Sequence, residues 1–137
     1  MPVIESLIRS EADGTISFGN YKLQTKSKLQ DFEHAGDLYK IKTFYEITKL
    51  ERNGLFVYES VPGTAVEHFS VNHDGVEFTV EGDKDAQLTI QLEDDTEYEV
   101  YVDGVAVGGM KTNMSGKLMA SVELNEGVAS QVRVVKR

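Results

Sequence analysis

Turn signals recur along this chain at intervals too short for long helices. Glycine stands beside Asn, Asp, Ser or Pro at Asp13-Gly14, Gly19-Asn20, Gly36-Asp37, Asn53-Gly54, Pro62-Gly63, Asp74-Gly75, Gly82-Asp83, Asp103-Gly104 and Ser115-Gly116. Glycine reaches the positive φ of a tight turn with no Cβ clash, and Asn and Asp tolerate it, so such pairs mark hairpins. An all-β chain is expected.

The residues between the turns fit that expectation best in the C-terminal half. Val76, Phe78 and Val80 alternate with Glu77, Thr79 and Glu81, and Leu88, Ile90 and Leu92 with Thr89, Gln91 and Glu93. Tyr98, Val100 and Val102 alternate with Glu99, Tyr101 and Asp103, and Leu118, Ala120, Val122 and Leu124 repeat the pattern. A period of two puts one face of a strand in a core and the other in water. With Val66–Val71, Val105–Lys111 and a last strand at Val132 and Val134, these segments have the number and spacing of an immunoglobulin-like β-sandwich.

The N-terminal half reads as a β-meander. Thr15–Phe18, Tyr21–Leu23 and Leu38–Phe44 are β-branched or aromatic, and Asn53-Gly54 joins Glu46–Arg52 to Leu55–Glu59 as a hairpin. Leu55, Phe56, Val57 and Tyr58 are apolar on both faces, which predicts cover on both sides. Val61-Pro62-Gly63-Thr64 has the form of a type II turn and marks the expected boundary between residues 1–64 and 65–137. Ser27-Lys28-Leu29-Gln30 also has the form of a helix capping box, but the run ends at Gly36, too soon for a stable helix, and a strand is expected. Ile4, Leu7 and Ile8 suit one amphipathic turn, or a hairpin closed by Asp13-Gly14.

Composition narrows the functional classes. The chain has 137 residues and no cysteine, which excludes disulfides and thiolate metal sites. Met1–Ser10 lacks the basic and apolar regions of a signal peptide, and no apolar run is long enough for a membrane helix, so a cytoplasmic location is expected. The formal charge is −9, with nine acids and eight bases in residues 1–64 against fourteen acids and six bases in residues 65–137. An acidic body repels phosphate backbones and anionic bilayers, so neither nucleic acid nor membrane is expected as a partner.

Catalytic signals are weak. His34, His68 and His73 form no His-x-His or His-Glu-x-x-His spacing, so no metal is expected there. Asp83, Asp85, Glu93, Asp94 and Asp95 are rich in hard oxygen ligands but lack a calcium loop, and solvated loop tips explain them better. No serine elbow, phosphate loop or dinucleotide fingerprint occurs, and nothing selects a carboxylate pair for glycoside hydrolysis. No catalytic residue and no cofactor are assigned. Sugar binding uses flat aromatic platforms, for which the outward-facing Tyr101 and Tyr45 are the candidates, but cross-strand packing on a sheet surface is the favoured reading of these tyrosines.

Ile4-Glu-Ser-Leu-Ile-Arg-Ser10, Gly14-Thr-Ile-Ser-Phe-Gly-Asn-Tyr21, Ile47-Thr-Lys-Leu-Glu-Arg-Asn-Gly54 and Tyr58-Glu-Ser-Val-Pro-Gly-Thr64 together resemble a family of short proteins of Gram-positive anaerobes sometimes labelled endosialidase. Tyr98-Glu-Val-Tyr-Val-Asp-Gly104 followed by Ser115-Gly-Lys-Leu118 is similar to hairpins of Ig-like accessory modules on glycan-active enzymes. The label implies a propeller that grips a carboxylate with three arginines, whereas this chain has only Arg9, Arg52, Arg133 and Arg137 and lacks a propeller's length. The resemblance therefore implies a carbohydrate connection, without the activity.

The expected function is a non-catalytic module for protein assembly or binding, with a carbohydrate-binding module or relative of a glycan hydrolase as the alternative. Self-association is expected through the aromatic, nearly neutral N-terminal half, with Phe56 and Tyr58 at the interface.

Overall fold

The computed structural model describes residues 3–137. Its strands are β1 (Ile8–Ser10), β2 (Ile16–Phe18), β3 (Ser27–His34), β4 (Asp37–Phe44), β5 (Ile47–Arg52), β6 (Leu55–Val61) and β7 (Ala65–Asn72). They continue as β8 (Gly75–Glu81), β9 (Ala86–Gln91), β10 (Glu97–Val102), β11 (Val105–Lys111), β12 (Lys117–Val122) and β13 (Ser130–Lys136). Among the described residues the protein is all-β, without a helix. It has two antiparallel sheets: a wide one of seven strands, ordered β1-β2-β7-β8-β13-β10-β11, and a narrow one of six, ordered β12-β9-β6-β5-β4-β3.

Both sheets draw strands from either side of Thr64. β1 and β2 join the wide sheet through β7, while the meander β3–β6 continues into β9 and β12. The residues 1–64 and 65–137 expected as separate units thus share both sheets. They also share one core cluster, in which Phe18, Phe69 and Phe78 of the wide sheet meet Tyr58 of the narrow one. Tyr58 lies edge-on to Phe18 and Phe78, at centroid distances of 5.3 and 5.8 Å, separations at which aromatic pairs attract.

Local chemistry accounts for the hairpins. Asn53 and Gly54 have φ of 52° and 81°, and Asp103 and Gly104 have 52° and 81°, the paired positive angles of a type I′ turn. That turn's twist matches its flanking strands, so Arg52 faces Leu55 and Val102 faces Val105 directly. Ser27–His34 is the expected strand. The alternation in β8, β9, β10 and β12 also points as expected: Phe78, Val80, Ile90, Val100 and Val122 are buried, while Glu77 and Glu123 are exposed and Glu99 is half-buried.

Several expectations need correction. Tyr21–Leu23 is turn and coil rather than strand, and Tyr21 is buried beside Val3 and Ala65. Val61–Thr64 is not a type II turn, because Gly63 lacks the positive φ that turn demands and the Val61–Pro62 bond is cis. Glycine is required at 63 for closeness instead: a Cβ there would collide with the carbonyl oxygen of Phe44. The two-sided apolar run in β6 has another cause than cover on both faces. A bulge opposite Leu50 and Glu51 breaks the alternation, so Val57 packs on the core while Leu55 stays 72% exposed.

Ile90→Ala is expected to cost about 2–5 kcal/mol in a urea melt, and Glu77→Ala to stay within about 0.5 kcal/mol. Equal losses at the two positions would contradict the register.

Candidate functional site

A cleft of about 910 Å³ opens at one end of the two sheets. Connections remote in sequence build it: Lys22, Gln24 and Lys26 after β2, Tyr45 and Glu46 between β4 and β5, Pro62 and Gly63 after β6, and Asp83 and Lys84 after β8. Backbone hydrogen bonds fix them to one another. Tyr45 N donates to Leu23 O at 2.9 Å, and Gly63 N donates to Tyr45 O at 3.0 Å. Lys22 Nζ reaches Asp83 at 3.1 Å and also pairs with Glu126, tying three connections together. Both carboxylates hold the Lys22 ammonium well above the usual lysine pKa.

Apolar and charged groups share the cleft. Phe44, Ile47 and Val61 supply the apolar wall, and Phe44 meets Tyr45 edge-on at 5.3 Å. Tyr45 remains 46% exposed, and the charge of neighbouring Glu46 raises its phenol pKa. Tyr21 also borders the cleft; burial pushes its pKa to about 12, and its hydroxyl has no hydrogen-bond partner among the described residues.

Lys42 belongs both to this cleft and to a row of charge on the outer face of the narrow sheet. Ile41, Thr43, Thr48 and Leu50 point into the core, so the residues between them point out. Lys28 therefore stands directly opposite Lys42, and Lys42 opposite Lys49. Among the described residues Lys26, Lys28, Lys40 and Lys42 make no ion pair, and Lys49 reaches only Glu51, at 3.6 Å. Burial, then the charges of Lys26, Lys49 and Lys28, lower the pKa of Lys42. The near-neutral count of residues 1–64 conceals this segregation. It becomes visible only when the pairing register is known.

The other candidate residues lie apart. Tyr101 is half-buried on the outer face of the wide sheet, with the Arg133 guanidinium 4.8 Å from its ring centre and Glu77 one strand further. That is the cross-strand packing alternative, and it shares no surface with Tyr45. Tyr58, expected at an interface, is instead 0% exposed, with its hydroxyl 2.8 Å from Thr64 Oγ1. Phe56 is half-buried under Lys117, whose Nζ lies 5.0 Å from the ring centre.

The histidines, and the acids Asp83, Asp85, Glu93 and Asp95, are locally engaged. His34 Nε2 donates to Gly14 O at 3.0 Å, and its Nδ1 lies 2.7 Å from Ser10 Oγ; the pair ties β1 to β3 where the two sheets' edges meet. His68 packs on Asp13 at 3.1 Å, and His73 is exposed beside Asp74. Asp83 binds Lys22, Asp85 accepts the Leu124 amide, Glu93 pairs with Lys136 and Asp95 with Lys111. No group of three metal-ligating side chains occurs among the described residues, and no helix is long and apolar enough to cross a membrane.

No protein-family model, curated protein or solved structure matches this chain.

Like charges directly opposite one another on a sheet are destabilising. Lys42→Gln is expected to stabilise the fold by a few tenths of a kcal/mol, and added salt should stabilise the parent more than the variant. The lowered folded-state pKa means the unfolded chain binds more protons in the window between the two pKa values. This group's contribution to stability therefore rises as pH climbs through the folded value towards the ordinary one. Thermal melts against salt and pH test this; a less stable variant with unchanged salt dependence would contradict it.

Proposed function

We propose that this chain is a non-catalytic β-sandwich module that binds a partner protein in the cleft around Tyr45. The supporting observation is the cleft itself, where an exposed aromatic ring and an apolar wall are held by backbone bonds among connections that cannot drift separately. Concave, partly apolar sites with a few placed polar groups are where proteins most often take ligands. A pre-formed site also loses little conformational freedom on binding. Elsewhere, large exposed apolar side chains such as Leu55, Val105 and Met119 lie on different elements, and singly exposed apolar residues require no function.

Carbohydrate is the second reading. It is favoured by Gln24 and Glu46 lining the same cleft as Tyr45, a combination with which a sugar would stack on the aromatic face and hydrogen-bond at its edge. The sequence likeness to accessory modules of glycan-active enzymes points the same way.

Selection from a displayed peptide library, run beside a glycan array and light scattering on the same protein, tests both readings. Peptides bound by the parent are expected to lose about tenfold or more in affinity on Tyr45→Ala, the scale of one interfacial aromatic anchor. Glycan binding sensitive to the same change would favour the second reading. Ligands indifferent to Tyr45→Ala, or none from either library, would contradict the site.

A further inference from the structure

In a chain with 23 acidic and 14 basic side chains, a patch of five lysines with Glu51 beside Lys40 and Lys49 and Glu59 at its margin is an unexpected use of few charges. Lys28, Lys42 and Lys49 occupy adjacent strands in register, so their Cα atoms repeat at about 4.8 Å across the sheet. Lys40 lies two residues from Lys42 on the same outer face, and Lys26 approaches from the connection before β3. Of the five lysines elsewhere, Lys22, Lys111 and Lys136 are each held by a carboxylate, whereas Lys84 and Lys117 make no ion pair among the described residues. The arrangement opposes folding, because facing ammonium groups repel. It favours the binding of anions.

The position of the patch narrows the anion. The row ends at Glu59 on one side and at edge strand β3 on the other, so it is about three strands wide. A long phosphate chain leaving it would cross a body whose formal charge is −9. A short run of carboxylates fits the width without that repulsion. Lys42 joins the row to the cleft, so a ligand lying on the lysines reaches Phe44, Tyr45, Ile47 and Val61 with its next groups. These two surfaces together match a polypeptide carrying acids beside an apolar side chain.

We propose that the row Lys28–Lys42–Lys49, with Lys26 and Lys40, docks an acidic segment of a partner protein whose neighbouring apolar residue enters the Tyr45 cleft. This inference rests on the binding-module reading and specifies its partner. The carboxylates would add the counter-charge that Glu51 and Glu59 supply to the row only in part, and the apolar anchor sets the direction in which the segment lies. Lysine suits this role because its compact ammonium is a flexible point charge and imposes no single bidentate geometry. Binding of this kind is salt-dependent, since exposed charges are screened within about a Debye length.

The test uses a fluorescein-labelled peptide, a run of glutamates followed by Gly-Phe, titrated by anisotropy at about 50 mM and about 300 mM salt. Comparison probes are the same peptide with glutamine for every glutamate, and oligo-dT of equal charge. Variants are Lys28→Ala/Lys42→Ala/Lys49→Ala and a charge-matched control, Lys111→Ala/Lys117→Ala/Lys136→Ala. The expected result is acidic-peptide binding that weakens about tenfold in the row variant and much less in the control. The glutamine peptide should bind more weakly, and higher salt should reduce the difference. The row variant is expected to melt no lower than the parent, so its loss of binding is not unfolding. Three results would overturn the proposal: no binding of the acidic peptide at the lower salt, equal loss in both variants, or tighter binding of oligo-dT. Peptide binding that ignores the row but falls with Tyr45→Ala would overturn this inference and leave the binding-module reading standing.

Discussion

A chain of buried hydroxyls at the passage between the sheets holds this architecture together. Thr43, Thr48, Ser60 and Thr64 are all 0% exposed, as is Tyr58. Thr48 Oγ1 donates to Thr64 O at 2.8 Å and accepts from Thr64 N at 3.1 Å. Its single proton is thereby used, so Thr43 is the donor in the 2.8 Å contact between them and accepts from Asn20 N at 2.9 Å. Thr64 Oγ1 meets both Tyr58 and Ser60 at 2.8 Å. A buried hydroxyl left without a partner costs about 1–3 kcal/mol, so each member constrains the next. The network joins β4, β5 and β6 to the crossover that begins β7, and Tyr58 carries it into the aromatic contacts between sheets.

The cleft is a consequence of that node. With Thr64 fixed, Gly63 lies against the Phe44 carbonyl at a distance no side chain would permit, and its amide is bonded to Tyr45. Asn20, bonded to Thr43, begins the connection whose Leu23 carbonyl receives the Tyr45 amide. Tyr45 is thus exposed on a turn anchored from two sides. Its exposure reflects where the backbone is pinned, while the lysines beside it are placed by strand register alone.

Local features of this arrangement were legible in the sequence, and long-range ones were not. Asn53-Gly54 and Asp103-Gly104 carry their turn geometry in two residues, and the alternation of Val76–Glu81 or Ala86–Gln91 states which side chains face inwards. Sheet membership is different: β6 pairs with β9, not with a neighbour in sequence, and no local pattern encodes that choice. Bulges hide in the same way. Val57 and His68 sit where strands carry an extra residue, which appears only against the partner strand. Tyr45 was legible as an exposed aromatic, but Tyr58 was not legible as a core residue, because the bulge at Val57 obscured the inward face. The cleft and the lysine row were invisible because each draws its members from separate stretches of chain.

Native-state hydrogen exchange at the Thr64 and Asn20 amides, in the parent and in Thr64→Val, tests the central role of the hydroxyl chain most directly. If the node holds the two sheets in place, both amides exchange only through global unfolding in the parent. Their opening free energies then match the stability from denaturant melts and fall together in the variant. Exchange at either amide through a local opening far below the global stability, unaffected by Thr64→Val, would contradict the account.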